Sequence, residues 1–230
     1  GDAGGGGGGG GSDGSDRSDD ADGGSGGSGG FARHVRTVSG LTLASRVTGL
    51  ARDAALAREL GAGPVADAFL FAFMVPNLFR RLFGEGALAA AFLPVYARLT
   101  DRHPEAGRRL GRQVIGTMVV ALSLLVLLAE LALLLVELLG DGVLAGRLAM
   151  VLLPYAPMVC AVAILGAMLQ VRGRFGPTAA APLLLNGVMI AVLVLPARRL
   201  AEDPSRHAGL LALGVVGAGV LQVLWALAAL

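Results

Sequence analysis

Four stretches of this chain, 114–139, 148–171, 177–197 and 208–230, are long enough and apolar enough to cross a bilayer. The hydrocarbon core of a membrane takes about 20 consecutive apolar residues in a helix. A core helix of a soluble domain carries one apolar stripe and a polar remainder, whereas these stretches are apolar on nearly every side. Charge or Gly/Pro bounds each of them. Arg108, Arg109 and Arg112 precede the first, and Asp141 and Gly142 follow it. Arg172 and Arg174 follow the second, and Arg198 and Arg199 the third. No water is present in lipid to satisfy backbone N–H and C=O groups, so a spanning segment of this kind is a helix. The expected fold class is all-α, a polytopic membrane bundle.

Composition agrees. With 54% hydrophobic and 16% charged residues, the chain is too apolar for an ordinary soluble domain. A single Cys excludes a disulfide scaffold and a Cys-based zinc site, and His34, His103 and His207 have no metal-ligand spacing. All 19 basic residues are Arg. The pI near 9.3 invites a nucleic-acid reading, but the charge is unevenly spread and no nucleic-acid partner is expected. Residues 1–30 hold 16 Gly, 6 Asp and one Arg, a net charge of −5, which leaves +7 for the rest. Such a segment cannot offset its ordering entropy and is expected to be a disordered, flexible tail.

Two earlier stretches are weaker. Residues 40–60 are apolar by count but contain Arg46, Arg52, Asp53, Arg58 and Glu59. Residues 65–83 carry Asp67 near the start, Arg80 and Arg81 near the end, and Pro76 inside, where a proline should kink a helix. If both span, the bundle has six helices. Residues 84–99 are too short and too Pro-interrupted to span and read as an interfacial or re-entrant segment on the inner side. With the N-terminus inside, nine loop arginines lie inside against five outside, which favours a cytoplasmic N-terminus.

The charges of the first helix need an explanation, because an Arg at mid-membrane costs roughly 2.5–3.5 kcal/mol. Arg46 and Arg52 stand about 9 Å apart along a helix axis and about 120° apart around it, so they do not easily snorkel to one surface. Two readings stand. Arg46 can pair with Asp53, seven residues on and on the same face, the others lying near the helix ends. Alternatively, a polar cavity between helices presents Arg forks to an anionic group such as phosphate. Asp67 likewise reads either as a functional acid or as an N-terminal acid complementing the helix dipole. Arg80 and Arg81 can serve as positive-inside anchors, a reading preferred for Arg81. Glu130, an acid among apolar neighbours, either pairs with a cavity Arg or snorkels outward. Asn186 and Gln222 read as buried amides bonded between helices, Gly214 and Ala218 as a small-xxx-small packing pair, and Cys160 as a small buried apolar residue.

Order and spacing over about fifty residues then carry a resemblance. Ala44-Ser45-Arg46-Val47-Thr48-Gly49-Leu50-Ala51-Arg52-Asp53 is followed by Gly61-Ala62-Gly63-Pro64-Val65-Ala66-Asp67-Ala68-Phe69. Next come Val75-Pro76-Asn77-Leu78-Phe79-Arg80-Arg81-Leu82-Phe83-Gly84-Glu85-Gly86-Ala87 and Ala91-Phe92-Leu93-Pro94-Val95. This resembles the N-terminal signature of the MurJ/MviN lipid II flippases, in the MATE-like transporter superfamily. Weaker echoes follow at Leu153-Pro154-Tyr155, at Phe175 with Pro182-Leu183-Leu184-Leu185-Asn186, and at Gly219-Val220-Leu221-Gln222.

The resemblance implies a transporter rather than an enzyme, without a cofactor or metal, in the bacterial cytoplasmic membrane. It implies alternating access around a cationic cavity and an undecaprenyl-pyrophosphate-linked peptidoglycan precursor as cargo. Arg46, Arg52 and Arg80 would hold the pyrophosphate and nearby sugars. Asp67 would act near the outer gate, Glu85 near the inner side, and Asp53 beside the arginines. Met74 departs from the basic residue of many relatives, and Leu88-Ala89-Ala90 from a more polar run. The resemblance also implies a two-lobe protein of which this chain is the N-terminal lobe. The C-terminal lobe is then a missing partner, and this piece is not expected to flip lipid alone. The alternatives are another exporter of lipid-linked polysaccharide or of organic cations, and a truncated, non-transporting membrane partner. The arginines argue for an anionic cargo and against drug cations. A membrane enzyme is remote, because no catalytic triad or carboxylate-pair arrangement appears.

Overall fold

The computed structural model describes the backbone of residues 25–84, 87–195 and 203–230, and the side chains of 39–83, 90–195 and 203–230. Among these the chain is helical and has no strand. The helices are α1 (Ser25–Leu60), α2 (Pro64–Phe79), a π-turn (Arg80–Gly84), α3 (Ala87–Arg102), α4 (Pro104–Leu138), α5 (Leu144–Leu152), α6 (Tyr155–Val171), α7 (Gly176–Val194) and α8 (Pro204–Ala229). The all-α membrane class therefore holds.

Of the six expected spans, four are long and apolar enough to cross a membrane among the described residues: α4, α5 with α6, α7 and α8. The other two differ for distinct reasons. Helix α1 has 36 residues, ample length, but it carries Arg46, Arg52, Asp53, Arg58 and Glu59. Helix α2 has only 16 residues before the backbone passes into the π-turn. Helix α1 begins at Ser25, inside the stretch expected to be tail, and residues 1–24 lie outside the described residues.

Local chemistry sets the other boundaries. Helix α4 starts ten residues before the apolar stretch, because Pro104 at its first turn needs no N–H partner and Gly107 and Gly111 let it pack against α3 and α6. The expected single helix 148–171 is two pieces, α5 and α6, joined at Leu153 and Pro154, where the proline cannot donate to the preceding turn. Helix α7 stops at Val194, short of the expected 197, with Pro196 two residues beyond. Helix α8 starts at Pro204 rather than 208, where the Asp203 carboxylate accepts from the Ser205 N–H at 2.9 Å. The segment expected to be interfacial or re-entrant is helical, as α3. It buries Phe92 and Tyr96, one turn apart, and leaves Val95 and Arg98 exposed.

Helix α6 is the centre of the bundle. From Tyr155 to Leu169 it is buried on nearly every side, packed by α4, α7, α8 and the π-turn. Helix α4 is the opposite case. Only 11% of its most apolar 18-residue stretch is buried, and Leu124, Leu127, Leu128, Leu131 and Leu135 face outward. In water such a surface would be unstable; in a bilayer it is the lipid contact. The tightest helix pairs are α1 on α7, α7 on α8, and α2 on α5. At α7–α8 the Val192 side chain occupies the space over Gly214, where an added Cβ would come within 2.9 Å of it. The small-residue reading of Gly214 thus corresponds to a real close approach.

Candidate functional site: an arginine-lined cleft

Between α1, α2 and the α6–α8 layer lies a cleft of about 1070 Å³. One wall is Gly49 and Arg52 of α1. The facing wall is Asn77 of α2 with Arg80 and Arg81 of the π-turn. Tyr155 and Gln170 of α6, Asn186 of α7 and Gln222 of α8 supply polar groups on the remaining side, and Phe73, Leu78, Val159 and Leu185 are among its apolar lining.

Arg52 is fixed from two sides. Its Nη1 donates to Asn186 Oδ1 at 3.1 Å, and its Nε and Nη2 donate to Asp53 Oδ1 at 3.0 and 2.7 Å. Asn186 is 5% exposed, and its Nδ2 donates to the Ser45 carbonyl and to Thr48 Oγ1, both at 3.3 Å. One amide therefore ties two turns of α1 to α7 and orients a guanidinium. Gly49 makes this possible, since the Asn186 amide lies 3.7 Å from where a Cβ would stand. Asp53 is on the open side, its side chain 63% exposed against 23% for Arg52. An ion pair this exposed contributes at most about 1 kcal/mol in water.

Arg80 and Arg81 reach the cleft through the irregular end of α2. Pro76 is buried inside that helix and offers no N–H to the turn before it. The Arg80 N–H bonds to the carbonyls of both Asn77 and Pro76, and the helix continues with π spacing from Arg80 to Gly84. Such segments recur at functional sites. Adjacent residues on an α-helix diverge by about 100°, yet Arg80 and Arg81 both line the same cleft.

The six expected site residues are not all gathered here. Arg52 and Arg80 line the cleft. Asp53 borders it through its bonds to Arg52 and is not itself part of the lining. Arg46 is exposed on α1 and outside the lining, and its expected alternative partner, Asp53, bonds Arg52 instead. Asp67 is exposed in the first turn of α2, with Gly63 as N-cap and Pro64 at the first position. That is the placement of an acid complementing a helix N-terminus. Glu85 lies outside the described residues. Glu130 is half-buried on α4 and does not border the cleft.

Several lining residues were not singled out as site residues. Arg81 was read as an anchor; its place four residues after Asn77, hence on one helical face with it, was the available signal. Asn186 and Gln222 bond between helices as expected, and both also face the cleft. Met74 lines the cleft where many relatives were expected to carry a base, so this part of the wall is apolar.

The sequence profile of the family described as lipid II flippase MurJ matches residues 56–230. The chain is similar to a probable lipid II flippase MurJ of Rhizobium tropici, 40% identical over 198 residues, covering 81% of this chain and 37% of that protein. It is similar to a lipid II flippase MurJ of Burkholderia cenocepacia, 34% identical over 209 residues, covering 84% of this chain and 38% of that protein. A shorter stretch of 61 residues is 54% identical to a probable lipid II flippase MurJ of Treponema pallidum. The chain thus spans little more than a third of the length of the curated relatives it matches, 37% and 38% for the first two named. Four membrane-length helices and a profile match over most of the chain lead to one conclusion: it is a membrane protein and belongs to the MurJ lipid II flippase family.

Proposed function

We propose that this chain forms the anion-receiving lobe of a lipid II flippase. That protein would carry undecaprenyl-pyrophosphate-linked peptidoglycan precursor from the inner to the outer leaflet of the bacterial cytoplasmic membrane, for cell-wall synthesis. The observation that carries the reading is that Arg52 and Arg80, from different elements, border one cleft inside a mostly apolar bundle. A pyrophosphate leaves water only where fixed cations replace its hydration, and Arg forks match phosphate oxygens in pairs. Asn186 holds Arg52 in place before cargo arrives, so little reorganisation is needed on binding. The polyprenyl tail stays in lipid and needs only a lateral opening.

In this scheme no bond is made or broken, so the protein is a transporter and no side chain acts as acid or base. Arg46 meets the headgroup on the open side of α1, on the path into or out of the cleft. Asp53 competes with the anion for Arg52 and so favours release. Asp67 works at the outer gate and Glu85 at the inner one, with the N-terminus in the cytoplasm. A second lobe closes the cleft from the α1–α2 side, and the two lobes rock about the cargo. Moving one charge across the membrane is worth about 2.3 kcal/mol per 100 mV, enough to bias such rocking.

The test is to replace Arg52 and Arg80 singly by Ala in the full-length protein and to measure lipid II reaching the outer leaflet of cells depleted of their own flippase. Export should be lost while membrane insertion stays normal. Full complementation by both variants would refute the proposal.

A further inference from the structure

Two runs of helix in the bundle are interrupted by a proline, and the interruptions meet. Pro76 leaves the Ala72 carbonyl of α2 without its helical N–H donor, and the backbone then passes into the π-turn. Pro154 does the same to the Met150 carbonyl and separates α5 from α6. The residues just before the two prolines, Val75 and Leu153, pack in one small apolar cluster with Val126 and Ala156.

The packing divides at the same level. On one side of the breaks α2 packs mainly on α5, and on the other the π-turn packs on α6 and α3. Helix α4 packs on α6 and α3 and touches α5 little. Helix α1 touches α2 little as well, and the turn between them holds Gly61 at φ +71°. One ion pair ties α5 to the end of α4. Nε and Nη2 of Arg147 on α5 both donate to Glu137 Oε1 on α4, at 2.7 and 2.5 Å. The connecting turn is folded round that carboxylate, since a Cβ at Gly142 would collide with it, and Gly140 has φ +88°. The Glu137 side chain is 27% exposed and that of Arg147 62%. A pair this open to its surroundings is readily broken.

We propose that α2 and α5 tilt as one body against α4 and α6, about the paired proline breaks, and that the Glu137–Arg147 pair is the latch that holds this body in place. Hinges are a few residues at the ends of elements that absorb the backbone change, and both breaks are of that kind. The tilt alters the width of the cleft where Leu70, Phe73 and Met74 line it. Arg80 and Arg81 lie beyond the break, on the α6 side, and keep their wall. The motion does not depend on what the cleft binds. It differs from a rocking of two lobes because it takes place inside this one.

The experiment measures distances between pairs of spin labels on the full-length protein in lipid nanodiscs, with Cys160 replaced by Ala. One pair, at Ala62 and Leu138, joins the far end of α2 to the far end of α4; both positions are exposed. The other, at the exposed Val95 and Val120, joins α3 to α4 on the α6 side of the breaks. From Pro76 to Pro64 is roughly 18 Å of helix, so a bend of about 20° moves the far end by roughly 6 Å. Glu137→Ala should therefore spread the first distance by about that amount and leave the second unchanged. Exchanging the charges, Glu137→Arg with Arg147→Glu, should restore the narrow distribution. Pro154→Ala, which gives the Met150 carbonyl a donor, should narrow the spread that Glu137→Ala produces. An unchanged first distance in Glu137→Ala would overturn the proposal, as would an equal spread of both distances, which marks general loosening. Failure of the exchanged pair to restore would overturn the latch, and a spread untouched by Pro154→Ala would overturn the hinge.

Discussion

Asn186 offers the sharpest perturbation of the cleft, because one side chain holds three bonds. In Asn186→Leu the volume is nearly kept and the helix is not weakened, so what is lost is polar. Nη1 of Arg52 loses an acceptor at 3.1 Å, and the Ser45 carbonyl and Thr48 hydroxyl lose a donor at 3.3 Å. Hydrogen bonds between helices in membranes average about 0.6 kcal/mol and reach about 1.7. The bond to Arg52 is charge-assisted and takes the upper figure, while the two long ones take the lower. Together they come to about 3 kcal/mol as a ceiling. Thr48 keeps its own bonds to the Ala44 and Ser45 carbonyls, at 2.9 and 3.1 Å, so the realised loss should be nearer 2 kcal/mol. The bond between Arg52 and Asn186 alone should appear as a coupling of about 1.5 kcal/mol in a cycle with Arg52→Ala, roughly tenfold in an equilibrium constant. The assay is thermal unfolding of the full-length protein in detergent, followed by binding of a polyprenyl pyrophosphate. Asn186→Leu should melt earlier and bind more weakly, and the second effect should vanish when Arg52 is already Ala. Additive losses would show that Asn186 serves packing alone and does not orient Arg52.

Three further outcomes follow from packing. Gly214→Ala places a Cβ within 2.9 Å of Val192 and should lower the melting temperature by an amount corresponding to about 1–2 kcal/mol; Gly217→Ala, with open space around it, should not. Gly173→Ala forces a side chain into φ +73° at the α6–α7 turn and should cost about 1 kcal/mol without altering anion binding. His207→Leu removes the ring nitrogen that lies 3.4 Å from the Val192 carbonyl, whose helical partner would be the N–H that Pro196 lacks. Thermal unfolding should show a loss of about 1–2 kcal/mol, whereas no shift would mean that water reaches this carbonyl.

The sequence made the membrane class legible because lipid imposes one rule: spanning backbone is helical and its side chains are apolar. Helices α4, α6, α7 and α8 obey it over most of their length, with Glu130, Asn186 and Gln222 as polar interruptions. The break between α5 and α6 was hidden because Leu153 and Pro154 sit inside an unbroken apolar run, and only the missing N–H marks the join. Helix α1 showed the opposite difficulty. Its charges lower its hydropathy, and one of them, Arg52, meets Asn186, over a hundred residues away. Spacing showed that Arg46 and Asp53 share a face. It did not show that the adjacent pair, Arg52 and Asp53, would close instead, since that depends on which side of α1 is covered by α7. Arg81 lines the cleft beside Arg80, and an anchor and a cleft cation look alike in sequence.

The most direct test of the account is the affinity of the full-length protein for a polyprenyl pyrophosphate beside the matching uncharged polyprenol, in wild type and in the Arg52→Ala, Arg80→Ala pair. Charge-assisted hydrogen bonds contribute about 1.5–3 kcal/mol each. Losing both arginines should therefore weaken the pyrophosphate at least about a hundredfold and leave the polyprenol unchanged. Equal affinity of wild type and double variant for the pyrophosphate would contradict the claim that this cleft receives the anion.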